Sequence, residues 1–296
     1  MTEHELLSRL RALPLHRGAR GLADDAAVVA GLVVTCDTLA EGVHFLPEDP
    51  AGDVAWKLVA VNLSDLAAKG ARPEGVVLSY PLSGGAWDAA FLTGLGEVLD
   101  AHGCCLIGGD TVALPLGSPR VLTVTALGSD AAAPARSGAR EGDALWVTGT
   151  IGDAGAGLAI ARGVSGPADL LVRYRRPTPR LSEGRALGPV VRAMMDVSDG
   201  LLLDASRMAA ASGLALAIDL AAVPLSPAYR AWGGDPLAAA TAGDDYELLF
   251  ALPDGVRPPV AATRIGAFVA GAGLNLHQGG APVPLPERLG YLHART

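Results

Sequence analysis

The sequence predicts a mixed α/β protein in two domains, and three observations carry that prediction. Helix-like and strand-like apolar patterns alternate through both halves of the chain. A stretch rich in Gly, Ala and Pro, residues 129–142, divides them like a linker. Half of the 296 residues are hydrophobic and 18% are charged, a composition that folds into cores instead of staying disordered. The linker sets a boundary near residue 135, with domains over 1–135 and 136–296.

The elements follow in order. Leu6, Leu7, Leu10 and Leu13 recur at helical spacing among Glu3, Glu5, Arg9 and Arg11, so residues 1–18 read as a surface helix, too charged for a signal peptide. Residues 28–35 are β-branched and apolar except at Gly31, the pattern of strand, turn, strand. Asp53 is placed to cap a helix through Trp56, Val59, Leu63 and Leu66, with Gly70 as its stop and Pro73 beyond. A strand over 76–82 and a helix over 86–101 ended by Gly103 come next. Residues 104–107 read as a short buried strand, Gly108-Gly109-Asp110-Thr111 as a turn, and 121–127 as another strand. Past the linker, strands are expected over 144–148, 193–197 and 214–220, helices over 152–162 and 201–211, and a further strand ending at 252.

Composition excludes several functions. The net charge of -8 argues against a general nucleic-acid binder, which needs a basic surface. No apolar run is long enough to cross a bilayer. Cys36, Cys104 and Cys105 lack the spacing of a zinc site or a secreted disulfide framework, so a reducing compartment, the cytoplasm, is expected.

The chemistry is written in the aspartates. Asp24-Asp25 precede an apolar strand, Asp37 ends one, Asp65 lies inside an apolar helix, and Asp110 follows an apolar run. Asp196 and Asp199 flank Val197-Ser198, and Asp244-Asp245 precede the last of the strands above. Singly, Asp53, Asp110 and Asp199 have a role open to them as helix caps, and Asp24-Asp25 as a turn. Together they can converge at one sheet edge, where a carboxylate cluster is costly unless cations neutralise it. Carboxylate oxygens without a His/Cys set favour magnesium over zinc, and magnesium points to phosphoryl transfer. The G-x-x-x-x-G-K-[ST] loop and the protein-kinase motifs are absent, and the only lysines are Lys57 and Lys69. The glycine-rich loop over 149–157 follows a strand and opens a helix, which suits an anion, although a tight strand–helix turn explains it equally well. His44 is the one histidine beside a candidate site, and taken alone it reads as structural.

Seven segments, in this order, carry a resemblance: Asp24-Asp25-Ala26-Ala27-Val28, Asp37-Thr38-Leu39-Ala40-Glu41-Gly42-Val43-His44-Phe45, Ala60-Val61-Asn62-Leu63-Ser64-Asp65-Leu66, Leu106-Ile107-Gly108-Gly109-Asp110-Thr111, Arg136-Ser137-Gly138-Ala139, Met195-Asp196-Val197-Ser198-Asp199-Gly200, and Asp245-Tyr246-Glu247-Leu248. Over nearly its whole length the chain resembles the thiamine-monophosphate kinases of the aminoimidazole-ribonucleotide-synthetase-like ATP-binding superfamily. The resemblance implies a homodimer whose N-terminal sheets pair in a β-barrel, with ATP held near that interface and no nucleic acid or membrane partner. It implies several Mg2+ ions held by Asp25, Asp37, Asp65, Asp110, Asp196 and Asp199, with metal contacts also at Thr35 and Cys36. It places ATP at Gly109, Asp110, Arg136 and Ser198, and thiamine monophosphate at His44, Asp244 and Tyr291, with no general base. The chain departs from the family's pattern at Ala23 (usually Gly), Cys36 (usually Ser or Thr) and Asp244 (usually Glu). The alternatives are a sister synthetase of the selenophosphate or aminoimidazole-ribonucleotide type, or a nucleotide or metal sensor on the same fold. Residues 1–25 contain neither the Cys nor the Lys that the selenophosphate enzymes carry there.

Overall fold

The computed structural model describes residues 3–129 and 132–292. The first helix is α1, Glu3–Leu10, shorter than the leucine spacing predicts. Met1 and Thr2 lie outside the described residues, and a 3-10 turn over Arg17–Leu22 follows instead of more helix. Strands β1 (Ala27–Val29) and β2 (Leu32–Ala40) form a hairpin around Ala30 and Gly31. Both turn residues have positive φ, 51° and 83°, as the primed two-residue turns require. Helix α2 (Ala51–Ala68), β3 (Arg72–Leu82), α3 (Gly85–His102), β4 (Leu106–Ala113) and β5 (Val121–Ser129) complete the first half.

These strands make one sheet in the order β1-β2-β5-β3-β4, antiparallel except for the β3–β4 pair. Helix α2 covers one face, where Val33, Leu39, Leu122, Val124 and Val76 meet Val54, Leu58, Val61 and Leu66, with α3 packed alongside. Helices α2 and α3 cross at glycine: a Cβ on Gly94 would stand 2.4 Å from the Gly52 backbone. The alternate positions of the strands, Cys36, Thr38, Val77 and Ser79, are exposed on the opposite face.

The second half runs β6 (Ala144–Thr148), α4 (Asp153–Ala161), α5 (Ala168–Arg175), α6 (Leu181–Leu187), β7 (Ala193–Asp196), α7 (Leu201–Ala211), β8 (Ala215–Asp219), α8 (Pro227–Ala231), α9 (Pro236–Thr241), β9 (Leu248–Leu252), β10 (Ala262–Val269), β11 (Gly273–Gln278) and β12 (Ala281–Pro282). Its seven strands order as β12-β11-β8-β10-β6-β9-β7, with β8–β11 the parallel pair. The fold is thus mixed α/β, with two separate sheets.

Helix α2 joins the halves. It is apolar on nearly every side, as a helix buried all round must be. Its last turn, Ala67 and Ala68, enters a core with Leu187, Met194, Leu248 and Phe250 from beyond the linker. A Cβ on Gly184 of α6 would meet the Ala67 carbonyl at 2.0 Å, so α6 docks backbone to backbone there. Gly70, at φ 63°, ends the helix as the sequence predicts.

Three predicted features differ. Asp53 does not cap α2: the chain turns helical at Ala51 after Pro50, and Asp53 sits in the first turn, paired with Arg176. Asp37 lies inside β2 and not at its end, because β2 stays paired with β5 out to Ala40. Gly108-Gly109-Asp110-Thr111 is strand and not turn, and β4 is exposed and not buried. Parallel pairing with β3 overrides the glycines' low strand preference, and the missing Cβ of Gly109 lets the Leu78 carbonyl approach.

Candidate active site

The carboxylates meet where α2 passes from the first sheet to the second. Asp25 lies just before β1, Asp65 on α2 and Asp196 at the end of β7, and each offers an oxygen within 4.8 Å of the others. Thr35 and Asp37 are two apart on β2 and so share a face. The Thr35 hydroxyl donates to Asp65. Ser64 donates to Asp196 at 2.6 Å, and Asn62 Oδ1 accepts the Asp37 backbone N–H at 3.0 Å. Asn62 and Ser64 of α2 thus support Asp37 and Asp196, while Thr35 of β2 supports Asp65.

Cations bear on one edge of the cluster. Lys69, fully buried, pairs with Asp24 at 2.5 Å and Asp25 at 2.6 Å, and donates to the carbonyls of Pro134 and Met194. Arg136 pairs with Asp25, and Arg20 with Asp24. Burial pushes the Asp25 carboxyl up, but the charges of Lys69 and Arg136 outweigh it and hold the group below the usual carboxylate range. The other acids go the opposite way. Burial, then repulsion from Asp37, Asp196 and Asp25, lifts Asp65 well above its ordinary value. Burial and the nearby Asp25 raise Asp196 to about 8. Burial raises Asp37 to about 6, with repulsion from Asp25 and Asp199 adding to it and a hydrogen bond with Asp65 opposing it.

Such a site fits a hard divalent cation. Its donors are carboxylate oxygens with no sulfur or imidazole among them, and the groups on Asp65 and Asp196 are hydroxyls, not counter-charges. The acids resist ionising together without added positive charge.

The remaining expected residues fall into three places. Ser198 and Asp199 follow β7 on the cluster's rim. Asp199 pairs with Arg207 at 2.5 Å, and its carbonyl accepts the Tyr291 N–H at 2.8 Å, which brings the C-terminal segment to this rim. Ser198 O accepts the Asp244 N–H at 2.8 Å, and the two loops interlock because a Cβ on Gly243 would stand 2.6 Å from that same oxygen. His44 and Asp244 face each other through Lys57, which donates to the His44 carbonyl at 2.9 Å and to Asp244 at 2.8 Å. Gly109 and Asp110 are not brought to the cluster within the chain. Asp110 registers with Ser79, Thr123 and Thr38 in a row across the open face, while Thr35 and Asp37 point to the helix-covered face. The Cys36 side chain is likewise on the open face, so a metal contact there would fall to its backbone.

The loop over 149–157 is already occupied by a side chain. Asp245 accepts the N–H groups of Gly152 at 2.8 Å and Ala154 at 3.4 Å, so the start of α4 is filled by the protein's own carboxylate. Sequence reasoning did not assign Lys57, Lys69, Asn62 and Ser64 to the site. Their signal was present: Lys57, Asn62 and Ser64 inside a largely apolar helix, and Lys69 at its end, need buried partners.

An α/β protein that gathers carboxylates from two sheets around one helix presents the donor set of a divalent-cation site, of the kind that handles phosphoryl groups. Residues 23–129 match the AIR synthase related protein N-terminal domain, and residues 140–271 match the AIR synthase related protein C-terminal domain. Thiamine-monophosphate kinase of Caulobacter vibrioides is 39% identical over 99% of this chain and 91% of its own length. The Escherichia coli K12 thiamine-monophosphate kinase is 37% identical over 93% and 92%. A solved structure of AaThiL complexed with AMPPCP and TMP superposes with a TM-score of 0.88 at 30% identity, covering 99% of this chain and 97% of that one. Thiamine-monophosphate kinase from Stenotrophomonas maltophilia K279a gives a TM-score of 0.77 at 37% identity over 94% and 96%. The chain belongs to the AIR synthase related family, among its thiamine-monophosphate kinases.

Proposed function

We propose that this protein transfers the terminal phosphoryl group of ATP to thiamine monophosphate, forming thiamine diphosphate and ADP. The observation that carries the reading is the convergence of Asp25, Asp65 and Asp196, from both halves of the chain, with one oxygen of each within 4.8 Å of the others. The kinase relatives and the AaThiL complex with AMPPCP, an ATP analogue, and TMP support the substrates.

The residues divide the work. Asp25, Asp65 and Asp196 would hold Mg2+, with Asp37 beside them and Asp199 on the rim. The ion, when bound, supplies charge neutralisation between the two phosphates and alignment of the in-line transfer. Arg136, now paired with Asp25, stands ready to donate to ATP phosphate oxygens, with Ser198 next to it in role. His44, Asp244 and Tyr291 bind the acceptor. Its phosphate has a second pKa of ~6 and is already largely dianionic at neutral pH, so no general base is needed.

Several further features belong to this reading. Gly109 and Asp110 complete the ATP and metal site at a homodimer interface, where the open faces of two five-stranded sheets close into a barrel. The domains are 1–135 and 136–296, and the protein works in the cytoplasm. No helix among the described residues is long and apolar enough to cross a membrane.

The test is ADP release by the purified protein with ATP, Mg2+ and thiamine monophosphate, against a control without acceptor. Release that needs both acceptor and Mg2+, with thiamine diphosphate formed, is the expected result. ATP binding without acceptor-dependent release would overturn the reading.

A further inference from the structure

Lys57 is a buried ammonium that the metal cluster does not use. It sits on α2, and a methionine of similar length would satisfy the packing there without the cost of desolvating a charge. Each side of its head group is engaged. It donates to the His44 carbonyl at 2.9 Å and to Asp244 Oδ2 at 2.8 Å, and it lies 4.2 Å from the centroid of the Tyr174 ring.

The groups it joins come from three parts of the chain. His44 belongs to the loop between β2 and α2, and Asp244 to the loop between α9 and β9. Tyr174 is on α5, and its hydroxyl donates at 2.9 Å to Asp49, whose carboxylate also accepts the Leu46 N–H at 2.8 Å. The loop over 44–49 is therefore tied down at both ends, by Lys57 and by Tyr174. The imidazole is aimed as well: His44 Nδ1 accepts the Ala40 N–H at 3.0 Å, which leaves the ring proton on Nε2. Asp244 is held from both oxygens, Oδ2 by Lys57 and Oδ1 by the Tyr246 hydroxyl at 3.0 Å, at a backbone φ of 71°. Its carboxylate then lines a small cavity shared with Thr150, Arg173 and Thr178.

We propose that Lys57 is a positioning residue that sets acceptor affinity. This rests on the functional reading above, in which His44 and Asp244 contact thiamine monophosphate. Lys57 locks a wall from the first sheet to a wall from the second, so both acceptor contacts form one preorganised unit. It touches none of the groups assigned to ATP or to the ion, so its effect is confined to the acceptor.

The experiment compares steady-state KM values for thiamine monophosphate and for ATP in Lys57→Met and Lys57→Arg. The acceptor KM is expected to rise at least tenfold in Lys57→Met, with the ATP KM within twofold of wild type, and Lys57→Arg is expected to recover part of the loss. In a double-mutant cycle, His44→Ala is expected to cost less in the Lys57→Met background than in wild type. An unchanged acceptor KM, equal rises in both KM values, or additive costs would overturn the proposal. Should Lys57→Met fail to fold, Lys57→Gln, which can donate but carries no charge, takes its place under the same criteria. Absence of acceptor-dependent turnover in the wild type counts against the functional reading itself, and is seen before any variant is made.

Discussion

Asp65 is half-buried and Asp196 buried, and each is lifted above the ordinary carboxylate range and supported by a hydroxyl. Replacing either with Asn keeps the shape and removes a repelled charge. Asp65→Asn and Asp196→Asn are therefore expected to leave metal-free melting unchanged or slightly raised, while turnover falls by ~100-fold or more and the Mg2+ requirement rises. Circular dichroism melting beside the ADP assay checks both halves, and wild-type turnover in both variants would defeat the cluster as a metal site. The same residues set a pH dependence. Asp37 and Asp196 bind protons more tightly folded, at about 6 and about 8, than in the unfolded chain. Between the unfolded carboxylate value and those points the folded state holds more protons, so stability falls as pH rises through the window. Asp25, held below the usual range, adds stability that is lost only on acidification and does not change there. In chelator, the melting temperature is expected to be lower at pH 8 than at pH 6. Mg2+ should shrink that drop, and a metal-free melting temperature flat across the window would contradict the assignment.

At the scale of elements, α2 decides the molecule. It lines the first core, enters the second, and carries Lys57, Asn62, Ser64, Asp65 and Lys69 to the site. Its closeness to α3 depends on paired glycines, because a Cβ on Gly94 meets the Gly52 backbone, which cannot rotate away. Gly94→Ala is expected to destabilise the fold by about 1–3 kcal/mol through overpacking, measured by denaturant unfolding. Gly96, two residues further along α3, has open space around its added Cβ, and Gly96→Ala should be neutral or mildly stabilising. Equal effects of the two substitutions would remove the crossing as the cause. The helix's apolar pattern and its Gly70 stop were plain in the sequence. The sequence places its cap three residues late, at Asp53, because Pro50 opens the helix without a side-chain cap.

Among the described residues, the face of the first sheet opposite α2 is exposed. Val77 and Val112 are exposed on it, beside Thr38, Thr123, Ser79 and Asp110. If two such faces close against each other, Val112→Asp places a charge in the seam. Sedimentation is then expected to show dimer for the wild type and monomer for the variant at the same concentration, with Mg2+-dependent ATP binding weakened because Asp110 sits in that row. A wild-type monomer with full turnover would remove the interface from the reading.

Alternation of apolar patterns, the linker composition and the run of aspartates beside apolar segments were enough to determine a two-part α/β fold and a carboxylate-rich site. These are local properties, readable because periodicity and burial cost act on neighbouring residues. What only the tertiary structure decided is which aspartates share a site. Asp25, Asp65 and Asp196 converge because α2 spans both cores, whereas Asp110 falls on the other side of the sheet because β4 pairs with β3 in a register no local pattern encodes. The buried lysines follow the same logic. Lys57 on α2 and Lys69 at its C-terminal end are 12 residues apart, yet one grips the loops of His44 and Asp244 and the other grips Asp24 and Asp25. Their partners lie up to 187 positions away in the chain, and only folding sets that distance to 2.8 Å.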